Sequence, residues 1–307
     1  MPVGQRVKRG LVMQDTGRDE PRGVALAVTA YLLWGVAPIY MKLMAHVPAV
    51  EFVAHRVLWS LPVAGIVLIL LRRTDDLVAA LRDPKMLRMA FLTSGLISVN
   101  WAIFVWAISN GQAIDAALGY YINPLFSVAL GALVLRERLA RNQLIAIGLA
   151  ACGVLVLVIE AGDLPWVSLA LTVSWGFYAL FKRSLPIGPN QGFLLEVLIL
   201  CPPALAYVLW LGVSGQGTFG MSGLDTLLLI GLGPVTAAPL MIYANAAKLV
   251  RLSTIGILQY IAPSMILLTA VFLFGEEIGR GRMIAFPLIW AGLVVYTLPM
   301  LRQVRRS

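Results

Sequence analysis

The chain has 307 residues, 60% apolar and only 13% charged, with a mean hydropathy of +0.86 and a formal net charge of +9. That balance lies outside the range of soluble globular domains, which excludes a water-soluble enzyme or binding module as the body of the chain. The basic excess invites a nucleic-acid reading, but the Lys and Arg residues stand between apolar runs, where they report topology instead.

Residues 1–22 are polar and basic and contain no apolar core, so they read as a cytoplasmic tail and not as a cleavable signal. Ten apolar runs follow, predicted at 24–44, 52–71, 87–109, 113–135, 143–160, 165–183, 191–212, 224–247, 253–274 and 283–301. A run of about 20 residues matches the ~30 Å hydrocarbon core of a bilayer. Arg6, Lys8, Arg9, Arg18 and Arg22 precede the first run; Arg72, Arg73, Arg82, Lys85 and Arg88 separate the second and third. Arg136, Arg138 and Arg141, then Lys182 and Arg183, Lys248 and Arg251, and finally Arg302, Arg305 and Arg306 fall on that same side. The other side receives Arg280 and Arg282, so the positive-inside rule makes both termini cytoplasmic. The loops of that other side are short, the longest being the uncharged stretch 212–223. Cys152 and Cys201 lie inside runs five and seven without neighbouring His or Cys, which points to no metal, no disulfide and no cofactor.

The polar residues inside the runs carry the chemistry, because an ionisable group in hydrocarbon is costly unless it faces the protein interior or water. Trp34, Pro38 and Lys42 share one face of the first run. Glu51, His55 and Trp59 share a face of the second, with Arg56 beside them. Lys42 and Glu51 either pair across the intervening turn or snorkel to the interface. Asn100 and Trp101 mark the third run; Asp115, Gly119, Asn123, Ser127 and Gly131 form a small-and-polar stripe on the fourth. Asn123 serves either as interhelical glue or as a ligand donor. Trp175 and Tyr178 in the sixth run, and Gln259 with Tyr260 in the ninth, add aromatic and amide groups. Glu196 stands among Phe193, Leu194, Leu195, Val197 and Leu198. Alone there, its anion is disfavoured by desolvation, as a proton carrier requires; the alternative is a pair with Lys182 or Arg183.

The second half of the chain repeats the first. Tyr121-Ile122-Asn123-Pro124 recurs as Tyr260-Ile261-Ala262-Pro263 at an offset of 139, each proline followed 13 residues on by Glu137 or Glu276. Trp34-Gly35 recurs as Trp175-Gly176, and 21 residues beyond those tryptophans stand His55 and Glu196. An odd number of spans per copy inverts the second copy relative to the first. The expected fold is therefore an all-α membrane protein of ten transmembrane helices in two inverted five-helix repeats, 23–161 and 162–302, with 303–307 a short cytoplasmic end. Inverted repeats belong to proteins that move solutes by alternating access about a midplane site.

These features resemble the drug/metabolite transporter superfamily in its EamA branch. The segments His55-Arg56-Val57-Leu58-Trp59-Ser60, Asn100-Trp101 through Asn110, and Leu118-Gly119-Tyr120-Tyr121-Ile122-Asn123-Pro124 resemble its RarD subfamily in particular. The resemblance implies a bacterial inner-membrane permease, and the His-Arg pair has no copy in the second half. The expected function is secondary transport of a small organic solute, a metabolite, amino acid or drug, as an exporter driven by protons and working as a monomer or dimer. Trp34, His55, Arg56, Trp59, Asn100, Trp101, Tyr120, Asn123, Trp175, Tyr178, Gln259 and Tyr260 are the candidate solute contacts, with Glu196 and Glu51 as candidate proton sites. A channel or scaffold is the first alternative. An intramembrane enzyme is disfavoured by the lack of a His cluster or nucleophile motif, and the lack of a Walker motif speaks against an ATP-driven pump.

Overall fold

In hydrocarbon no water is available to satisfy backbone amides, so each apolar run must close its hydrogen bonds within itself as a helix. The computed structural model describes residues 20–70, 75–134, 139–161, 164–183, 187–246, 249–250, 254 and 258–306. Its elements are α1 (Pro21–Lys42), α2 (Ala49–Leu70), α3 (Asp75–Arg82), α4 (Pro84–Ser109), α5 (Ala113–Val134), α6 (Arg141–Ala161), α7 (Trp166–Arg183), α8 (Pro189–Ser214), α9 (Gly223–Ala246), α10 (Ile261–Leu268) and α11 (Arg280–Arg306). The protein is an all-α membrane protein, and eight of these helices are long and apolar enough to cross a bilayer.

Three differences from the sequence reading have physical causes. The basic segment between the second and third runs contains α3, which buries Leu77 and Ala80. α7 is shorter and more polar than a lipid-facing span because it lies against α4 and α5, where Ser168 donates to the Asp115 carbonyl at 2.7 Å and Thr172 to that of Gly119 at 2.9 Å. The ninth run does not continue as one helix: α10 passes into a π-helical turn, Thr269–Leu273, closed by the Phe274 amide on the Thr269 carbonyl at 2.9 Å. Gly275 at φ +70° then releases the chain. Glu137, Arg72, Arg73, Arg136, Arg138, Lys248, Arg251 and the basic residues of the tail through Arg18 lie outside the described residues.

α2 packs on both α8 and α9, α4 on α7 and α8, α1 on α9 and α10, α5 on α7 and α10, and α6 on α11. Small residues permit the closest of these contacts. A Cβ on Gly119 would stand 2.8 Å from the Ser168 carbonyl oxygen, so α5 and α7 meet backbone to backbone there. The α1–α2, α4–α5, α6–α7, α8–α9 and α10–α11 connections gather at one end of the bundle, here called the distal end, as the contacts between them described below show.

Candidate solute-binding site

α2 carries three ionisable groups within two turns, and Glu51, His55 and Arg56 are all buried. Arg56 points about 100° away from His55 around the helix. Its guanidinium lies over the Trp101 ring of α4, 4.2 Å from the centroid, within electrostatic reach of the Tyr120 phenol of α5. Among the described residues no carboxylate pairs with it, and its Nε and Nη1 are buried without a hydrogen-bond partner. Removing a guanidinium from water costs several kcal/mol. Stacking on an indole returns about 2 kcal/mol of that. The remainder calls for an anion.

Aromatic rings continue the site. Tyr120 meets Phe104 edge-on at 5.4 Å and Trp175 of α7 at 6.4 Å, and Trp175 meets Tyr178 at 5.6 Å. Asn100 ties the wall together: its amide donates to the Leu171 carbonyl at 3.1 Å and to Ser174 Oγ at 2.9 Å, while its Oδ1 accepts from Tyr120 at 3.4 Å. Arg56, Asn100, Trp101, Tyr120, Trp175 and Tyr178 thus converge between α2, α4, α5 and α7. The other candidates stand apart. His55 and Trp59 face the α8–α9 loop, whose Phe219 stacks on His55 at 5.0 Å. Trp34 packs with Tyr31 and Tyr243 between α1 and α9. Gln259 and Tyr260 form the turn before α10, with the Tyr260 ring 6.3 Å from Tyr121. Asn123 is buried, and its Oδ1 has no partner.

Two expectations are corrected. Glu196 is not a lone carboxylate, because Lys182 Nζ lies 2.6 Å from its Oε1 and Tyr178 donates to its Oε2 at 3.2 Å. One turn of α7 brings both donors to the α8 face. Lys42 and Glu51 do not pair. Lys42 donates to the Ile108 carbonyl at 3.3 Å and sits over the Phe274 ring, whereas Glu51 accepts from the Thr218 amide at 2.6 Å and hydroxyl at 3.1 Å. The α8–α9 loop folds in far enough to reach Glu51 before Lys42 does.

The EamA-like transporter family matches residues 21–159. Protein RarD of Streptomyces exfoliatus is 43% identical over 94% of this chain and 92% of its own length. Protein RarD of Escherichia coli is 38% identical over 93% and 97%. This chain is a RarD-like member of the EamA-like transporter family. A protein of Pseudomonas aeruginosa named chloramphenicol-sensitive protein RarD is 30% identical over 94% of this chain and 98% of its own. A crystal structure of another protein shares the fold, with a TM-score of 0.58 at 21% identity over 91% of this chain and 98% of that one.

In this RarD-like chain the distal end is fastened by contacts that the sequence did not announce. The Glu276 carboxylate accepts from the Ala113 and Ile114 amides at 2.8 and 2.9 Å, capping α5 from the other half of the molecule. Arg282 grips Asp115 through two nitrogens at 2.7 and 3.2 Å. His46 meets Asp225 at 3.1 Å. Phe219 and Thr218 were equally absent from the candidates. Phe219 had one signal available, being the only aromatic in the uncharged 212–223 loop.

Proposed function

We propose that this membrane permease is a secondary transporter, and that its solute is a small, partly aromatic organic anion held by Arg56. The buried guanidinium on Trp101, which meets no carboxylate among the described residues, carries the reading, since its planar fork matches a carboxylate or similar group. Tyr120 and Trp175 supply rings for the rest of the solute. Alternating access is supported by the packing. Exchanging α1, α2, α4, α5 and α6 for α7, α8, α9, α10 and α11 turns α2–α9 into α4–α8, α4–α7 into α1–α9 and α1–α10 into α5–α7, and leaves α2–α8, α5–α10 and α6–α11 unchanged, as two inverted repeats would. The protein resides in a bacterial inner membrane with both termini cytoplasmic, and it exports its solute against protons. Glu196, ion-paired with Lys182 and hydrogen-bonded by Tyr178, is the carboxylate that takes up the coupling proton when that pair opens.

The test uses 4-nitrobenzoate, an anionic contact quencher of indole fluorescence, on the protein in lipid nanodiscs. Saturable quenching is expected in the wild type and is lost in Arg56→Ala. Arg56→Lys, which keeps charge without the planar fork, restores it in part. Undiminished saturable quenching in Arg56→Ala removes Arg56 from the site.

A further inference from the structure

His55 faces away from the Arg56 chamber, toward a separate space. The α2 face from His55 to Pro62, Leu205 and Val208 of α8, and Phe219 enclose a half-open pocket of about 320 Å³. That is the lower end of the range for small-molecule pockets, about 300–1,000 Å³, and suits a monocyclic compound. Its walls are apolar except at two side chains. The His55 ring is 1% exposed, and neither nitrogen has a hydrogen-bond partner. The Glu51 carboxylate lies 4.0 Å from Nε2 and is already engaged by Thr218. The Trp59 indole N–H is likewise buried and unpartnered. Leaving such groups unmet costs about 1–3 kcal/mol each, which an occupant with a hydrogen-bond acceptor would recover.

Phe219 shows what this wall accepts. Its ring lies nearly parallel to the imidazole, at 19°, and 6.0 Å from Trp59 at 30°. The ring is carried on a loop bounded by Gly215 at φ +66° and Gly220 at φ +86°, conformations that side chains disfavour. The two Thr218 bonds to Glu51 fix the loop's height over the pocket. Among the described residues no guanidinium or ammonium lines the space, in contrast to the Arg56 chamber.

We propose that this pocket is a second binding site, for an uncharged aromatic group bearing a hydrogen-bond acceptor, with His55 and Trp59 as its polar contacts and Phe219 as its roof. The site is independent of the anion reading, because Trp59 and Trp101 report separately on the two spaces. In nanodiscs, 4-nitrobenzyl alcohol, the neutral counterpart of 4-nitrobenzoate, quenches a saturable part of the tryptophan emission. Trp59→Phe abolishes that part, whereas Trp101→Phe retains it. Phe219→Ala weakens the apparent affinity about fivefold, the loss of one stacked ring. Quenching that only rises linearly with probe in the membrane means that the pocket holds lipid chains, and the proposal fails. It fails equally if the saturable part disappears in Trp101→Phe and survives in Trp59→Phe, which places the neutral probe at Arg56. Loss of the 4-nitrobenzoate signal alone, with the neutral signal still dependent on Trp59, sinks the anion reading and leaves this pocket standing.

Discussion

At the scale of single residues, the Lys182–Glu196 pair is the most consequential contact that the sequence left open. Its side chains are 21% and 3% exposed, so breaking it strands a charge in a poorly solvated place. Lys182→Met should destabilise the protein by about 3–5 kcal/mol, the cost of an uncompensated buried carboxylate. Adding Glu196→Gln removes that charge and should recover most of the loss, which thermal unfolding in detergent would read as a melting temperature restored toward wild type. Glu196→Gln by itself should bind solute and support exchange while losing transport driven by a pH gradient; gradient-driven transport unchanged from wild type would take Glu196 out of the coupling. The sequence exposed Arg56 and Glu196 because a charge inside an apolar run is conspicuous. It hid their surroundings, since whether Lys182 reaches Glu196 depends on the packing of α7 against α8, and the 14 residues of separation between them carry no such information.

At the scale of helices, the apolar runs were legible almost to their ends because bilayer thickness dictates length. Roles within them were less so. α7 reads as an ordinary span, yet its Ser168, Thr172 and Ser174 hydroxyls face backbone carbonyls of α5 and of α7 itself, which is how so polar a helix is tolerated. The small-residue stripe of α5 was informative at Gly119, where the approach of α7 leaves no room for a methyl group. Gly119→Val should therefore push α7 outward and lower stability by about 1–3 kcal/mol, an overpacking cost. Gly95, where an added Cβ would meet no neighbouring atom within 4 Å, should accept Ala without loss. Equal melting temperatures for the two variants would show that the α5–α7 contact is loose. The break in the ninth run was not legible, because a π-helical turn differs from an α-helical one by a single residue of register and the surrounding composition is unchanged.

For the whole molecule, the arrangement of basic residues predicts that a reporter fused after Arg306 reads cytoplasmic and one placed in the 212–223 loop reads periplasmic. Both on one side of the membrane would dismantle the inverted-repeat account. With that orientation, the distal end is the periplasmic face, and it is the end held by Lys42, Glu276, Glu51 and Asp115. In three of those four fastenings a side chain of one segment grips main-chain atoms of another: the Ile108 carbonyl, the Ala113 and Ile114 amides, and the Thr218 amide. A main-chain carbonyl is the same whichever residue supplies it, and a main-chain amide is the same for every residue but proline. Each such closure therefore offers mutation one target where a pair of side chains would offer two: at positions 108, 113 and 114 the side chain is constrained by its buried packing and not by the hydrogen bond that closes the distal end.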